Sequence, residues 1–265
     1  MELTCIGVDG SHPSPGGACS GYLLKNGEKY VLIDCGSGVF GKLALLMNPT
    51  SVDAIVLSHL HGDHFSDMMV MHHALLHAVR AGVRADPMPV YAPILPEELN
   101  FYAGIGEFAW SDIATLIQPL SLCGMSARFF AGRHAIPSYA MRFEADGKVF
   151  CYTGDTNTVD GLADFARGCD VLLIDAALLH EDWAERAPHL SARLAAELGR
   201  DVGAKRVLLT HVFPKGADAQ ALLSEAVCHA RITRFEVMEP TLEEIFIEKV
   251  TADSAEAVAG DRIHA

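Results

Sequence analysis

Three histidines and one aspartate lie within six consecutive residues of the chain, in the segment His59-Leu60-His61-Gly62-Asp63-His64. Imidazole nitrogens and carboxylate oxygens are good ligands for zinc, manganese and iron. In an extended turn alternate side chains project to the same side, so His59 and His61 can converge on one ion. Asp63 and His64 then lie beyond the bend, where they suit a second ion. The segment therefore predicts a site for two metal ions.

The composition limits the classes of protein to which such a site could belong. Of the 265 residues 50% are hydrophobic, which is enough to bury a large core and excludes a disordered chain. We predict one domain over residues 1–250 and a flexible acidic tail over residues 251–265. The formal net charge of -14, without any run of Lys or Arg, disfavours binding to nucleic-acid duplexes.

The sequence also shows no signal peptide and no membrane span. Residues Met1–Gly7 contain no basic region followed by a long apolar one, and no run reaches ~18 uninterrupted apolar residues. The seven cysteines form no CxxC pair, and several lie in apolar runs, which is typical of reduced, buried thiols. These observations predict a protein of the cytoplasm that contacts no membrane.

Short apolar runs alternate with helical patterns, which is typical of an α/β architecture. Hairpin signals at Asn26-Gly27 and Asp146-Gly147, together with strand–helix units, indicate mixed sheets. The predicted strands are Leu3–Val8, Ser20–Lys25, Lys29–Asp34, Ala54–Ser58, Pro89–Ala92, Ser126–Ala131, Ala140–Ala145, Val149–Thr153, Val171–Asp175, Arg206–Leu209 and Glu244–Glu248. The predicted helices are Gly41–Leu46, Phe65–Ala81, Pro96–Ala103, Leu162–Ala166, Ser191–Val202 and Ala217–Ala230. The region Leu99–Leu122 has no clear periodicity, and we interpret it as an inserted helix and loop near the site.

Two pairs of segments resemble each other across the chain. Val31-Leu32-Ile33-Asp34 is similar to Leu172-Leu173-Ile174-Asp175, and Ile55-Val56-Leu57-Ser58-His59 is similar to the segment that ends at His211. The repetition predicts two related halves that meet at a shared site.

The pattern His-x-His-x-Asp-His at residues 59–64 resembles the hallmark motif of the metallo-β-lactamase fold hydrolases. Val31-Leu32-Ile33-Asp34-Cys35-Gly36-Ser37-Gly38, after the opening strand, matches the first motif of that family. The resemblance runs from about residue 1 to 250 and is greatest to the branch with ribonuclease Z and small phosphodiesterase-like hydrolases. It implies a four-layer αββα sandwich, in which two mixed β-sheets pack face to face with helices outside them.

The same resemblance implies the metal ligands position by position. His134 matches the third-motif histidine, Asp155 matches the carboxylate that bridges the ions, and His211 matches the last ligand. The full set is His59, His61, Asp63, His64, His134, Asp155 and His211. It would hold two divalent ions, zinc foremost with manganese or iron as alternatives, and a hydroxide shared by the ions would attack the substrate. Asp34 would support the ligand loop without binding metal.

Asp63 and His189 are predicted to be the catalytic residues. His189, just ahead of a helix capped by Ser191, matches a catalytic histidine of ribonuclease Z-type enzymes and would give a proton to the leaving group. Those enzymes carry a His-Glu-Ala-Thr stretch where this chain has Asp175. This shorter acid could still support the imidazole of His189 or the carboxylate of Asp63.

The spacing between two of the ligands bears on the substrate. Twenty-one positions separate His134 from Asp155, which is enough for a hairpin. Ribonuclease Z inserts there the arm that grips tRNA, and this chain lacks the arm. Together with the acidic charge, this disfavours tRNA 3′ processing and favours a small-molecule substrate.

The function favoured is a phosphodiesterase for a small substrate, such as a cyclic nucleotide or a nucleotide-like diester. Hydrolysis of a carboxyl ester, thioester, lactone or aryl sulfate is the alternative, because the pocket walls decide between these reactions. A redox diiron protein of this fold would carry Glu in place of His61, and a non-catalytic metal-binding relative would have lost ligands. The resemblance also implies a homodimer.

Overall fold

Two mixed β-sheets form the centre of the molecule in a computed structural model, which describes residues 1–94, 97–212 and 247–249. The strands of the first sheet are β1 (Glu2–Gly7), β2 (Gly21–Asn26), β3 (Lys29–Ile33), β4 (Ala54–Val56), β5 (Met88–Ala92), β6 (Phe108–Asp112) and β13 (Ile247–Lys249). Those of the second sheet are β7 (Leu120–Leu122), β8 (Met125–Ala131), β9 (Tyr139–Ala145), β10 (Lys148–Tyr152), β11 (Val171–Asp175) and β12 (Arg206–Thr210). The helices are α1 (Val39–Leu46), α2 (Gly62–Phe65), α3 (Met68–Arg80), α4 (Leu162–Ala166) and α5 (Ala192–Asp201).

Both sheets combine antiparallel and parallel pairing. The first has the order β13-β1-β2-β3-β4-β5-β6, antiparallel as far as β3 and parallel from β3 to β6. The second has the order β12-β11-β10-β9-β8-β7, parallel from β12 to β10 and antiparallel beyond. Asp146 and Gly147 both have positive φ angles, 50° and 69°, as a two-residue type I′ hairpin turn requires. The sheets are therefore mixed, as the hairpin signals predict.

Three apolar clusters separate the layers. Val31 and Ile33 of β3 pack between the two sheets, whereas Leu32 faces the other way, into a core shared with α1 and α3. A third cluster, which includes Leu172 of β11, lies between the second sheet and helices α4 and α5. The order helix–sheet–sheet–helix confirms the predicted four-layer sandwich.

The two sheets place similar residues at equivalent strand ends. Strand β3 pairs in parallel with β4, and β11 pairs in parallel with β12. Asp34 follows β3 and Asp175 ends β11, while His59 lies shortly after β4 and His211 directly after β12. Neighbouring parallel strands end at the same edge of their sheet. The repeated segments of the sequence therefore correspond to two equivalent strand pairs.

Two predictions of secondary structure need correction. Residues 99–122 are only in part the predicted helix and loop, because a 3-10 helix over Glu97–Gly104 is followed by β6 and β7, which lie at the edges of the two sheets. These strands have five and three residues, too few for periodicity to reveal them. The predicted helix Phe65–Ala81 is interrupted, since α2 ends at Phe65 and α3 begins at Met68.

Several predictions fall on the remaining part of the chain. The helix Ala217–Ala230, most of the strand Glu244–Glu248 and the tail over residues 251–265 lie outside the described residues. The single domain over residues 1–250 stays a prediction. Among the helices of the described residues, none has the length and apolar character that a membrane span needs.

Candidate metal centre

The seven predicted ligands come together where the loops that follow the strands meet. They are supplied by the turn after β4 (His59 and His61), by α2 (Asp63 and His64), by the β8–β9 connection (His134) and by the residues after β10 and β12 (Asp155 and His211). They form two groups in which the ligand-type atoms all lie within 4.8 Å of one another, namely His59, His61, His134 and Asp155, and Asp63, His64, Asp155 and His211.

The first group consists of three imidazoles and one carboxylate oxygen. Nδ1 of His61 lies 3.1 Å from Nε2 of His59 and 3.0 Å from Nε2 of His134. Oδ2 of Asp155 lies 3.5 Å from Nε2 of His59. Ligand atoms that surround a zinc ion tetrahedrally, at ~2.0–2.1 Å from it, are about 3.3 Å apart. The spacing of this group therefore fits one cation.

The second group shares Asp155 with the first. Nε2 of His64 lies 3.3 Å from Oδ1 of Asp155, and Nε2 of His211 lies 3.2 Å from its Oδ2. Oδ2 of Asp63 lies 3.7 Å from Nε2 of both histidines. The shared carboxylate places the two groups side by side, which is the arrangement of a dinuclear centre.

The hydrogen bonds behind the imidazoles determine which ring nitrogens can bind a cation. Nδ1 of His134 donates to the carbonyl of Pro188 at 2.9 Å, and Nδ1 of His64 donates to Asp34 at 2.8 Å. In a neutral ring Nε2 then carries a lone pair. Nε2 of His64 and Oδ1 of Asp155 are both buried, and apart from each other, 3.3 Å away, neither has a hydrogen-bond partner among the described residues. A cation between them would satisfy both atoms, so the residues present fit a bound metal pair.

Burial favours the neutral form of the histidines in the first group. Burial lowers the pKa of His59, His61 and His134, and the positive charge of a neighbouring imidazole would lower each pKa further. A neutral imidazole is the form that binds metal, so these rings are ready to act as ligands.

In the second group, the charges of neighbouring side chains outweigh the effect of burial on the pKa values. Burial lowers the pKa of His64, but Asp155 and Asp34 raise it by more, and the net pKa lies well above the usual value. Burial raises the pKa of Asp155, but the charges of His64, His211 and His59 outweigh this effect and hold the pKa well below its usual range. Asp155 is therefore ionised, and negative charge is concentrated where the two groups meet.

Asp34 supports His64 from behind, and it lies outside both ligand groups. Its buried carboxylate accepts hydrogen bonds from the backbone N–H of Ser58 at 2.7 Å, from the Ser58 hydroxyl at 2.9 Å and from the Tyr152 hydroxyl at 2.9 Å. Because the Ser58 hydroxyl donates to Asp34, it accepts from Nδ1 of His59, 3.0 Å away. That bond leaves Nε2 of His59 facing the first group, so one network orients a ligand of each group.

Three contributors to the site are absent from the sequence predictions. The backbone N–H of Ser11 donates to Oδ2 of Asp63 at 2.8 Å, and a backbone donor leaves no signal in the residue type. Tyr152 ends a buried strand three positions before Asp155, a location that could have drawn attention to it. A Cβ on Gly36 would lie 1.9 Å from the carbonyl oxygen of Asp63, so only glycine allows the first motif to pass this close to α2.

His189 lies beside the ligand groups. Its Nδ1 is 2.8 Å from Oδ2 of Asp175 and 3.8 Å from Oδ2 of Asp155, and its ring stacks on His211 with centroids 4.9 Å apart. Burial lowers the pKa of His189, but the hydrogen bond and charge of Asp175 raise it by more, so the net pKa is raised. A histidine that retains its proton beside the two ligand groups can supply that proton to a leaving group. Asp175 therefore supports the imidazole of His189, the first of the two partners predicted for it.

Two family models match the chain. One is described as the beta-lactamase superfamily domain and matches residues 29–212. The other is described as the C-terminal domain of ATP-binding protein DrrA1-3-like and matches residues 177–250, well under half of the chain.

Curated relatives match over most of the chain and most of their own length. The probable metallo-hydrolase YhfI of Bacillus subtilis is 28% identical over 216 residues, which cover 80% of this chain and 87% of the relative. The uncharacterized protein ML1173 of Mycobacterium leprae is 31% identical over 248 residues, which cover 85% and 82%. The ribonuclease Z of Archaeoglobus fulgidus is 23% identical over 285 residues, which cover 85% and 92%.

Solved structures show the same fold. The crystal structure of the metallo-beta-lactamase fold protein YhfI from Bacillus subtilis superposes with a TM-score of 0.78 at 26% identity, covering 86% of this chain and 93% of that one. The short form of human tRNase Z gives a TM-score of 0.67 at 21% identity, covering 80% and 93%. A diphosphatase from the PhnP family gives 0.64 at 20% identity, covering 81% and 87%.

Proposed function

The chain belongs to the β-lactamase superfamily, and from this membership and the geometry of its site we propose that it is a dinuclear phosphodiesterase for small substrates. That it is a metal-dependent hydrolase follows from the family and from its likeness to the probable metallo-hydrolase YhfI. The bond that it cleaves, the number of ions that it holds and the roles of its residues are the proposal.

The observation that carries the proposal is the position of His189 beside the carboxylate that both ligand groups share. An alkoxide or aryloxide leaving group needs a proton, and the pair formed by His189 and Asp175 provides a donor ring whose Nδ1 lies 3.8 Å from Oδ2 of Asp155. A thiolate leaving group has less need of one, since a free thiol already ionises near pH ~8.5. The donor therefore favours cleavage of a bond to oxygen over cleavage of a thioester.

The charge of the ligand set favours an anionic substrate. Across the two groups the only carboxylates are Asp63 and Asp155, and the other members are histidines. Two divalent ions would bring more positive charge than the two carboxylates of the ligand set offset, so that set would leave a net positive charge. That positive charge would stabilise a bound phosphodiester monoanion, whereas it would stabilise a neutral ester or lactone much less.

The connection between His134 and Asp155 supports a small substrate. It contains the short hairpin β9–β10, closed by the two-residue turn Asp146-Gly147, and no arm long enough to grip a folded RNA. The net charge of -14 adds a general repulsion toward polyanions. Cyclic nucleotides and nucleotide-like diesters are therefore the substrates that we propose.

The residues act in a defined order in the proposed reaction. When bound, two divalent ions would lower the pKa of a water and offset negative charge on the phosphoryl oxygens. The oxygen of a water forms the new bond to phosphorus and that water releases a proton to the solvent, while the bond from phosphorus to the leaving oxygen breaks. Asp175 holds Nδ1 of His189, so the proton delivered to the leaving oxygen comes from Nε2. Asp63 keeps its place as a ligand because the N–H of Ser11 fixes its Oδ2.

The names of several relatives agree with chemistry at phosphorus. A ribonuclease Z, a human tRNase Z and a diphosphatase all share the fold, and each of these names describes cleavage of a phosphorus–oxygen bond. Zinc as the resident metal, the homodimer and the cytoplasmic location stay predictions.

A substrate panel tests the proposal. The protein reconstituted with zinc or manganese would be assayed on bis(p-nitrophenyl) phosphate, 2′,3′-cyclic AMP, an aryl sulfate, a thioester and a lactone. We expect hydrolysis of the two phosphodiesters at rates at least tenfold above those of the other three. Faster turnover of the thioester, the lactone or the sulfate would replace the phosphodiesterase with that alternative.

A further inference from the structure

Asn157 is wholly buried and lies two residues after Asp155, in the loop that follows β10. Its side-chain Nδ2 lies 2.6 Å from the carbonyl oxygen of Ala187, 3.2 Å from that of Glu185 and 3.3 Å from that of Ala184. The carbonyl groups of an irregular loop need donors, and the two N–H groups of this one side chain reach three carbonyls of the same loop. The amide of Asn157 therefore holds the loop that leads into His189.

The other end of the same amide holds the loop as well. Oδ1 of Asn157 accepts from the backbone N–H of Thr158 at 2.6 Å and from Nε1 of Trp183 at 3.1 Å. The indole of Trp183 is in turn stacked on His180, with ring centroids 5.6 Å apart and planes 6° from parallel. Since Asn157 uses both its donor and its acceptor, its orientation is fixed by the contacts around it.

The loop that Asn157 holds ends at Pro188 and leads into His189, and both residues make contacts in the site. The carbonyl of Pro188 accepts the 2.9 Å bond from Nδ1 of His134, and the next residue is His189. The backbone N–H of Asn157 donates to the carbonyl of Arg133 at 2.9 Å, and the Arg133 guanidinium donates to the carbonyl of Glu185 at 2.6 Å. The segments that carry His134, Asp155 and His189 are thus joined through one asparagine.

From these contacts we propose that Asn157 is a positioning residue, which fixes the loop 183–188 so that His189 is aimed at the leaving group. The inference rests on the proposed function, because it takes His189 as the proton donor of that reaction. Asn157 itself stays away from the substrate and acts through the loop. A displacement of about 1 Å at a reacting group can lower a rate by roughly 100-fold, so a loosened loop has a measurable effect.

Asn157→Asp is the variant that tests the role. It keeps the size of the side chain and an acceptor for Trp183, but it replaces the donor with an oxygen that faces the carbonyls of Ala184, Glu185 and Ala187. The matched control is Asn26→Asp, which removes a single amide donor to the carbonyl of Cys123, 3.1 Å away, at the end of β2 far from the ligands. Both variants change one asparagine that donates to backbone carbonyls.

The kinetic test compares two phosphodiesters that differ in the leaving group. For Asn157→Asp we expect the kcat for diphenyl phosphate to fall at least tenfold more than the kcat for bis(p-nitrophenyl) phosphate, because p-nitrophenolate leaves with little help from an acid. The metal content should match that of the unmutated protein, and Asn26→Asp should leave both rates unchanged. Equal losses on the two substrates would overturn the inference.

A second readout uses the metal-free protein and does not depend on activity. The chain has two tryptophans, and Nε1 of Trp110 donates to the carbonyl of Tyr102 at 2.9 Å, away from Asn157. In ¹H–¹⁵N spectra of Asn157→Asp we expect the indole signal of Trp183 and the ring signals of His189 to shift, while the Trp110 signal stays in place. Unchanged His189 signals would overturn the inference.

The two proposals fail in distinguishable ways. If the unmutated protein cleaves neither phosphodiester, the proposed function is wrong, while the ring signals of His189 still decide whether Asn157 positions it. If Asn157→Asp does not fold, Arg133→Met replaces it, since this change removes the guanidinium bond to Glu185 and keeps the buried amide. We expect Arg133→Met to lower the kcat for diphenyl phosphate more than the kcat for bis(p-nitrophenyl) phosphate, with a smaller difference than in Asn157→Asp. Equal losses on the two substrates would overturn the inference.

Discussion

The hydroxyl of Tyr152 donates a 2.9 Å hydrogen bond to the carboxylate of Asp34 across the interface between the two sheets. Tyr22 of the first sheet makes the reciprocal contact, a 2.6 Å bond between its hydroxyl and Oγ1 of Thr210, the residue before His211. The two tyrosine rings lie 5.1 Å apart at their centroids. Each sheet therefore supports, through one buried tyrosine, a residue of the other sheet that lies next to a candidate ligand: Asp34 contacts His64, and Thr210 precedes His211.

Tyr152→Phe should weaken both the fold and the metal centre. The change removes a buried hydrogen bond to a carboxylate, which contributes about 1.5–3 kcal/mol, and it loosens the support of His64. We expect the free energy of unfolding of the metal-free protein to fall by that amount in urea titrations. Metal affinity, measured in competition with a chelator, should fall at least tenfold. Tyr30→Phe, on a half-buried ring of β3, is the control and should change neither quantity; an unaltered affinity in Tyr152→Phe would contradict the account.

Asp155→Ala should remove more metal than the loss of any single histidine. Asp155 belongs to both ligand groups, whereas His61 belongs to one. After gel filtration, elemental analysis should find less than one ion per chain in Asp155→Ala and about one in His61→Ala, against about two in the unmutated protein. Equal metal contents in the two variants would show that the carboxylate is not shared.

His189→Ala should keep its metal and lose turnover selectively. As a general acid His189 contributes roughly 10²–10⁴-fold to the rate on substrates with poor leaving groups. We expect a loss in that range on diphenyl phosphate and a loss below about tenfold on bis(p-nitrophenyl) phosphate. His73→Ala, on the exposed face of α3, serves as the histidine control. Full activity of His189→Ala on the poorer substrate would remove His189 from the mechanism.

Two glycines close together in sequence should respond in opposite ways to alanine. At Gly36 the new Cβ would meet the carbonyl oxygen of Asp63 at 1.9 Å, and a backbone atom cannot move aside cheaply. We expect the free energy of unfolding to fall by more than ~3 kcal/mol. Gly41, within α1, has no atom within 4 Å of the added Cβ, so alanine should stabilise the fold by about 0.5–1 kcal/mol. Urea midpoints that move in the same direction would refute this pairing.

Asp170 should make the stability depend on pH in the acid range. Burial raises its pKa, but the ammonium of Lys205 at 2.6 Å and the N–H of Val149 at 2.7 Å lower it by more, so the folded pKa is depressed. The ionised carboxylate therefore stabilises the fold above the unfolded pKa of ~3.9, and that contribution is lost as the pH falls through the lower folded value.

Asp170→Asn should accordingly lower the stability at pH 7 and reduce its decline below pH ~4. Thermal unfolding between pH 3 and pH 7 would measure both effects. Asp164→Asn is the control, because that carboxylate is 80% exposed. Curves for Asp170→Asn that run parallel to those of the unmutated protein across the whole range would contradict the assignment.

The convergence of the candidate ligands could be predicted because the family resemblance implied their positions, and the local sequence around several of them supports it. His59 and His211 follow apolar runs that form buried strands, and the carboxyl ends of such strands meet at one edge of a sheet. Asp155 follows another strand in the same way. The alternation and length of these runs are properties of single segments, so they can be read without the structure.

The supporting contacts could not be predicted in this way. The bond between Tyr152 and Asp34 joins residues 118 positions apart, and the partners of the Asn157 side chain in the loop 183–188 lie 26 to 30 positions beyond it. Such pairs depend on how two sheets and their loops pack, which no local pattern encodes. Among the described strands β6 pairs on one side only, and in its sequence, Phe-Ala-Trp-Ser-Asp, neither alternation nor apolar continuity marks a strand.

Each ligand group takes its members from both halves of the sandwich. His59 and His61 follow the first sheet, and His134 and Asp155 follow the second; the other group is divided in the same way. A cation bound by either group would therefore link the two sheets, and the sheets could separate only after the cation had dissociated. At a free-ion concentration of ~1,000 times Kd this linkage adds about 4 kcal/mol to the resistance against unfolding. A chain without its cations would lose this stabilisation and be cleaved sooner by proteases, so the lifetime of the protein would depend on the concentration of free metal around it.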